Sequence, residues 1–312
     1  MPSGNNCAEA GRAPARRPCN GVLLSRTGAA GLAALCGKNR PGLGTLFAGI
    51  FRAAVPDAGL PGGTANTLLH KGAMDGLRLR ALARMVQGTP ELRDAYNALL
   101  TGIRLSAPLG FHPSILVTST QPNEGKTTIA SCLAIAAVLS GQAVLLVDGD
   151  LRRPSLGSAA GIVNGVGFGE VIEGHADSEN AINRIDLFES VEGAGTLSVM
   201  AAGRKSPEFL AGVDWGKART TIKAIAQQFG LVVFDSPPVL AANDALLLAG
   251  AVDGVLLVVG AGSADRDEVR RAKEQIEPVG TPLVGAVLNR FDPKLHGRPD
   301  RPYLGYNLHG RR

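Results

Sequence analysis

The chain has 312 residues, of which 45% are hydrophobic and 19% charged, enough apolar material for a large core and about two domains. Aromatic residues make up only 4%, so that core must be aliphatic. The net charge of +5 is uneven: residues 1–90 hold 11 Lys/Arg against 3 Asp/Glu, and the remainder holds 21 against 24, so the basic character belongs to the N-terminal segment and no nucleic-acid partner is expected.

Cys7, Cys19, Cys36 and Cys132 share no metal-ligand spacing and read as free thiols in a reducing compartment. The run GVLLSRTGAAGLAALCG over 21–37 is broken by Arg26 and rich in glycine, whereas a spanning helix needs roughly 20 mostly apolar residues. As a signal peptide its front part is too long and its cleavage site poor, and Leu35 stands where a lipoprotein would place a small residue before Cys36. A cytoplasmic protein is expected.

Residues 1–89 are rich in Gly, Ala, Pro and Arg without a sustained period, so this extension is expected to be disordered or weakly structured. A short helix fits GLRLRALARMV over 76–86, whose basic residues would solubilise a tail or touch an anionic membrane face. Thr89-Pro90-Glu91 starts a helix through LRDAYNALLTGIRL, and from here strands and helices alternate. SILVTS (114–119), AVLLVD (143–148), LVVFD (231–235), GVLLVV (254–259) and LVGAVLN (283–289) are short aliphatic runs, and GKTTIASCLAIAAVLS (125–140) has helical length. Continuous aliphatic strands separated by helices predict a doubly wound, mostly parallel α/β sheet covered on both faces, a P-loop NTPase fold. The predicted divisions are an extension over 1–89, a body over 90–292 and a flexible basic tail over 293–312.

Ligands of such folds bind beyond the carboxyl ends of the strands. There the chain reads Ser119–Thr128, STQPNEGKTT, with Gly125-Lys126-Thr127 opening the helix. Backbone N–H groups of Gln121, Pro122's neighbours, Asn123, Glu124 and Gly125, with the positive end of the helix, suit phosphate oxygens. Lys126 would reach the β- and γ-phosphates of ATP, Thr127 would ligate Mg²⁺ and Thr128 would support phosphate. Gly125 is expected because a side chain would strike the nucleotide. Asn123 tolerates positive φ and can replace a glycine. Thr120, however, stands where the usual pattern has its first glycine.

Two acidic strand ends follow. VLLVDGDLRRP ends in Asp148 and Asp150, which lie on one side if the strand continues that far. Paired carboxylates there suit Mg²⁺ and acceptance of a hydroxyl proton. Arg152 or Arg153 would pair with phosphate or with another subunit. LVVFDSPPVL ends in Asp235, the Walker B arrangement of an acid at a strand tip.

These residues resemble the bacterial protein-tyrosine kinases of capsule and exopolysaccharide synthesis over about 90–291. VTSTQPNEGKTT resembles the family's Walker A, which lacks the early glycine, so Thr120 is ordinary there. VLLVDGDLRRPSLG resembles its second Walker motif, and FDSPPVLAANDALLLA its Walker B segment, with an Asp matching Asp244. GFGEVIEG, LSVMAAGRKSPEFL and GAVLNRFD resemble further landmarks. The resemblance implies transfer of the ATP γ-phosphate to tyrosines, largely of the protein's own tail, by Lys126, Asp148, Asp150 and Asp235. It implies Mg²⁺ at Thr127, Asp148, Asp150 and Asp235, and an adenine contact by Asn289. It also implies self-association and a membrane-anchored polysaccharide co-polymerase or adaptor that activates the kinase and draws it to the inner face of the cell membrane.

The chain departs from the family pattern at three points. The helix before Walker A, usually E-x-x-R-x-x-R and packed on a neighbour's site, has Asp94, Asn97 and Leu100. The tail RPYLGYNLHGRR offers two tyrosines, Tyr303 and Tyr306, in place of a dense cluster, and no fused spanning segment is expected, so a separate anchor would be needed. Two other readings share the fold: a partitioning or division-site ATPase switch, and an ATP-binding regulator with little transfer activity. The switches carry an extra lysine five residues before Lys126, where this chain has Gln121.

Overall fold

The computed structural model describes residues 50–53, 77–106, 112–162, 165–188, 195–203 and 212–291. The run at 21–37, the RKSPEFL landmark and the tail with Tyr303 and Tyr306 lie outside them.

The backbone forms β1 (Ile50–Ala53), α1 (Leu77–Gly88), α2 (Pro90–Leu105), β2 (Ser114–Ser119), α3 (Lys126–Leu139), β3 (Val144–Asp148), α4 (Leu156–Ala160), α5 (Phe168–Glu173) and α6 (Ser178–Ala181). It continues with β4 (Ile182–Asp186), β5 (Thr196–Met200), α7 (Trp215–Ala226), β6 (Leu231–Asp235), α8 (Asp244–Ala249), β7 (Gly254–Gly260), α9 (Arg266–Ile276), a 3₁₀ turn and β8 (Leu283–Asn289). One eight-stranded sheet results, in the order β1-β8-β7-β2-β6-β3-β5-β4. All pairings are parallel except β4 with β5. The doubly wound α/β fold expected from the aliphatic runs is the fold observed, and five of its strands lie on the predicted runs.

Every residue of β2, β3 and β6 is buried, yet the pleat sends alternate side chains to opposite layers. Ile115, Val117, Val144, Leu146, Leu231 and Val233 pack with α1, α2 and α3. Leu116, Leu145, Val147, Val232 and Phe234 pack with α5, α7, α8 and α9 on the other face. There Phe168 meets Phe234 edge to face, with ring centroids 5.5 Å apart.

Helix α3 is buried without a break from Ile129 to Val138, so it needs cover on its outer side as well as from the sheet. Its alanines let α1 and α2 approach, and Leu79, Ala83, Val86, Tyr96, Leu99 and Ile103 close that third layer. The helix considered at 76–86 is present as Leu77–Gly88, and the division at residue 90 therefore falls between two helices of one packed core. Leu100 is buried in α2. Asn97 accepts a hydrogen bond from Ser140 Oγ at 3.2 Å.

Composition left three strands unmarked. β4 and β5 are an edge pair with alternating exposure rather than continuous apolar runs. β1 covers the outer edge of β8 in parallel register, Ile50 opposite Ala286 and Ala53 opposite Asn289.

Candidate active site

Strand β2 lies between β6 and β7, so the loop leaving its tip is walled by the ends of both neighbours. The loop 120–125 turns twice through the left-handed region, at Asn123 (φ 64°) and Gly125 (φ 91°), before α3 begins at Lys126. A glycine is required at 125 by that φ and by space: a Cβ there would lie 2.2 Å from Asn289 Nδ2. The neighbour that excludes a side chain is therefore a residue of β8, where the sequence had suggested the nucleotide.

Thr120 and Glu124 account for the missing first glycine. Both are buried. Glu124 Oε2 accepts the Thr120 hydroxyl at 2.7 Å and the Gln121 N–H at 2.9 Å, and Oε1 accepts the Gly260 N–H at 2.9 Å from the end of β7. The carboxylate thus closes the loop on itself and ties it to β7. Asn289 Nδ2 donates to the Glu124 carbonyl at 2.8 Å, and Gln121 Nε2 donates to Glu268 Oε1 at 2.9 Å on α9. Nothing in the local sequence signalled Gly260 or Glu268. Asn289, expected at an adenine, is buried behind the loop, and its Oδ1 has no hydrogen-bond partner.

Opposite the loop, Asp148 and Asp235 end β3 and β6 as register partners. Thr127 donates its hydroxyl to Asp235 Oδ2 at 2.6 Å, while the buried Asp235 Oδ1 has no partner. Burial pushes the Asp235 carboxyl up to about 7, Asp148 adding to the rise and Lys126 opposing it. Asp148 is likewise pushed up to about 6 by burial, against the hydrogen bonds from Leu156 and Ser155. Both those N–H groups reach Asp148 Oδ2 at 2.9 Å, so this carboxylate anchors the loop that follows it.

Strand β3 stops at Asp148, and Asp150 stands in that loop. Its Oδ2 is nonetheless 3.8 Å from Lys126 Nζ, and its Oδ1 accepts the Arg153 N–H at 2.9 Å. Gly149 between the two acids crosses the end of β6, donating to Asp235 O at 2.7 Å; a Cβ would lie 2.8 Å from that oxygen. Arg152 turns to Asp244, with Nε on Oδ2 and Nη2 on Oδ1 at 3.1 Å.

The structure therefore brings Lys126, Thr127, Asp148, Asp150 and Asp235 to one crevice, with Gln121–Gly125 along its rim and Thr128 in the first turn of α3. An orphaned buried carboxylate oxygen beside a hydroxyl is the kind of donor set that Mg²⁺ uses together with phosphate oxygens. Thr127 and Asp235 fit that ion. Loops of this build, at the head of a buried helix and facing acidic strand ends, define the P-loop nucleotide-binding proteins.

The comparisons agree and go further. The CobQ/CobB/MinD/ParA nucleotide binding domain family matches residues 115–307. The tyrosine-protein kinase YwqD of Bacillus subtilis is 31% identical over 214 residues, 68% of this chain and 86% of the relative. The tyrosine-protein kinase CpsD of Streptococcus agalactiae is 28% identical over 75% of this chain and 97% of the relative. The solved kinase domain of the Escherichia coli tyrosine kinase ETK superposes with a TM-score of 0.59 at 26% identity, over 67% of this chain and 79% of that one. The chain belongs to the bacterial tyrosine-protein kinases, within the CobQ/CobB/MinD/ParA nucleotide-binding family.

Proposed function

We propose that this chain is an ATP-dependent protein-tyrosine autokinase that regulates polymerisation and export of a capsular or extracellular polysaccharide. The reading rests most directly on Lys126, which opens α3 and faces Asp150 at 3.8 Å, beside the Thr127–Asp235 bond. Amides of Asn123, Glu124 and Gly125 bind the phosphates, and Lys126 draws the γ-phosphate toward Asp150. Thr127 and Asp235 would hold Mg²⁺, which when bound would supply charge neutralisation for the transferring group. Asp150 orients the incoming tyrosine hydroxyl and accepts its proton. Asn289 contributes from behind the loop, holding the Glu124 carbonyl at 2.8 Å.

Tyr303 and Tyr306 are the acceptors in this reading. Each phosphate would add about −1.5 to −2 charges among Arg301, Arg311 and Arg312 and weaken self-association or release a partner. That partner is a membrane-anchored co-polymerase or adaptor. Among the described residues no helix is long and apolar enough to cross a membrane. Gln121 donates within its own chain to Glu268, which favours the kinase over a switch that carries a lysine at this position.

The test is incubation of the full chain with Mg-ATP, an anti-phosphotyrosine blot and mass spectrometry of the tail, with and without a candidate membrane partner. Phosphotyrosine on Tyr303 or Tyr306 that is lost in Lys126→Met is expected. ATP hydrolysis without phosphotyrosine would reject the kinase, and phosphotyrosine elsewhere would reject the tail.

A further inference from the structure

We propose that Asp244 is a positioning residue for phosphoryl transfer, acting through Arg152 to keep Asp150 within reach of Lys126. The inference rests on the kinase reading for its catalytic consequence, though the mechanical link stands on geometry alone.

The loop between Asp148 and Leu156 is pinned at its two ends by backbone groups. Gly149 N–H is held on Asp235 O at 2.7 Å, and the Ser155 and Leu156 N–H groups are held on Asp148. Asp150, Arg152 and Arg153 lie between these anchors, and both arginines are exposed. Between them Leu151 is buried in the core and the Asp150 N–H reaches Asp148 Oδ1 at 3.3 Å, and Arg152 adds a side-chain strut from this span to the first residue of α8. A two-point guanidinium–carboxylate contact fixes direction as well as distance, which a single charge pair does not.

Asp244 suits this task because it is buried while Arg152 is not. Its side chain is 5% exposed against 48% for Arg152. The immobile partner is the acid, set in the α8 face of the core, and the mobile one is the arginine that rides on the loop. Removing Arg152 would leave Asp244 as an unpaired buried charge, so the pair is held closed. The contact has a second effect. Asp150 also attracts Arg152, more weakly than Asp244 does. An Arg152 released from Asp244 would compete with Lys126 for the Asp150 carboxylate.

The experiment compares the full chain with Arg152→Lys, Asp244→Asn and the double variant. Amide exchange is measured without nucleotide at Arg153, whose N–H is held by Asp150, and steady-state phosphorylation is measured with Mg-ATP. Each single variant is expected to speed Arg153 exchange and to lower kcat by roughly tenfold, with KM for Mg-ATP within about twofold. The double variant should be no worse than the poorer single one, because both break the same link. Unchanged Arg153 exchange, additive losses, or a raised KM with intact kcat would each overturn the proposal. If Asp244→Asn does not fold, Arg152→Lys decides, since its side chain is half exposed. If the wild type makes no phosphotyrosine, the kinase reading fails while the exchange arm still judges the strut.

Discussion

Asp148 and Asp235 are direct neighbours in parallel register at the ends of β3 and β6, both buried and both with raised carboxyl pKa values. A folded-state value of about 6 or about 7, above the unfolded 3.8, means that the folded protein holds protons the unfolded chain has lost. Stability from these groups is fully present below about pH 4 and is lost as pH rises through 6 to 7. We expect the melting temperature of nucleotide-free, chelator-treated protein to fall between pH 5 and 8 more steeply in the wild type than in Asp235→Asn. Mg-nucleotide should stabilise most at the alkaline end. Parallel profiles for the two proteins would show that Asp235 is not the proton holder. The same variant should lose at least about 100-fold in phosphorylation rate, the loss expected of the proposed role of Asp235 in holding Mg²⁺.

Glu124 organises the loop through three accepted hydrogen bonds, from Thr120, Gln121 and Gly260. In Glu124→Gln an amide NH₂ must face either the Gly260 N–H or the Thr120–Gln121 pair, donor against donor. A cost of about 1–3 kcal/mol follows from the unmet bonds. Most of it should appear as weaker nucleotide binding, because the loop can relax when empty. Titration with a fluorescent ATP analogue should show roughly tenfold weaker affinity, and unaltered affinity would remove Glu124 from this role.

Gly125 combines a φ of 91° with a Cβ position 2.2 Å from Asn289 Nδ2. Gly125→Ala should destabilise the protein by about 2 kcal/mol or more through backbone strain and collision together. Gly125→Ala with Asn289→Ala removes the collision and keeps the strain, so urea unfolding should show partial recovery. Full recovery would mean that the left-handed turn costs nothing at this site.

Tyr96 on α2 and Cys132 on α3 face each other in the third layer. Burial holds the tyrosine hydroxyl well above its ordinary value and pushes the Cys132 thiol up to about 12. The hydroxyl has no hydrogen-bonded oxygen or nitrogen partner. Tyr96→Phe should therefore change stability by less than about 1 kcal/mol in denaturant titration. Cys132 should resist alkylation in native protein and react only on unfolding. Peptide mapping after iodoacetamide treatment checks this, and rapid native labelling of Cys132 would contradict the buried layer.

Five core strands and the phosphate-loop helix were legible because a strand buried on both faces must be aliphatic throughout, a demand written in contiguous residues. The acids at 148, 150 and 235 were legible for a related reason: a charge at the tip of an apolar run stands out. β4 and β5 were not, since an edge pair with one wet face carries no continuous signal. Gly125 was singled out by sequence, but its neighbour Asn289 lies 164 residues further along the chain, and no local pattern encodes that approach. The bonds of Glu124 to Gly260, of Gln121 to Glu268 and of Arg152 to Asp244 are of the same kind. By itself the sequence determined which side chains could handle a nucleotide and that a parallel sheet would carry them. Which of those groups meet, which have their carboxyl pKa raised by burial and which merely hold a loop in place was decided only by the register of β3 on β6 and the closure of β7 and β8 behind the loop. Hydrogen bonds and desolvation act through space, between residues the chain keeps far apart.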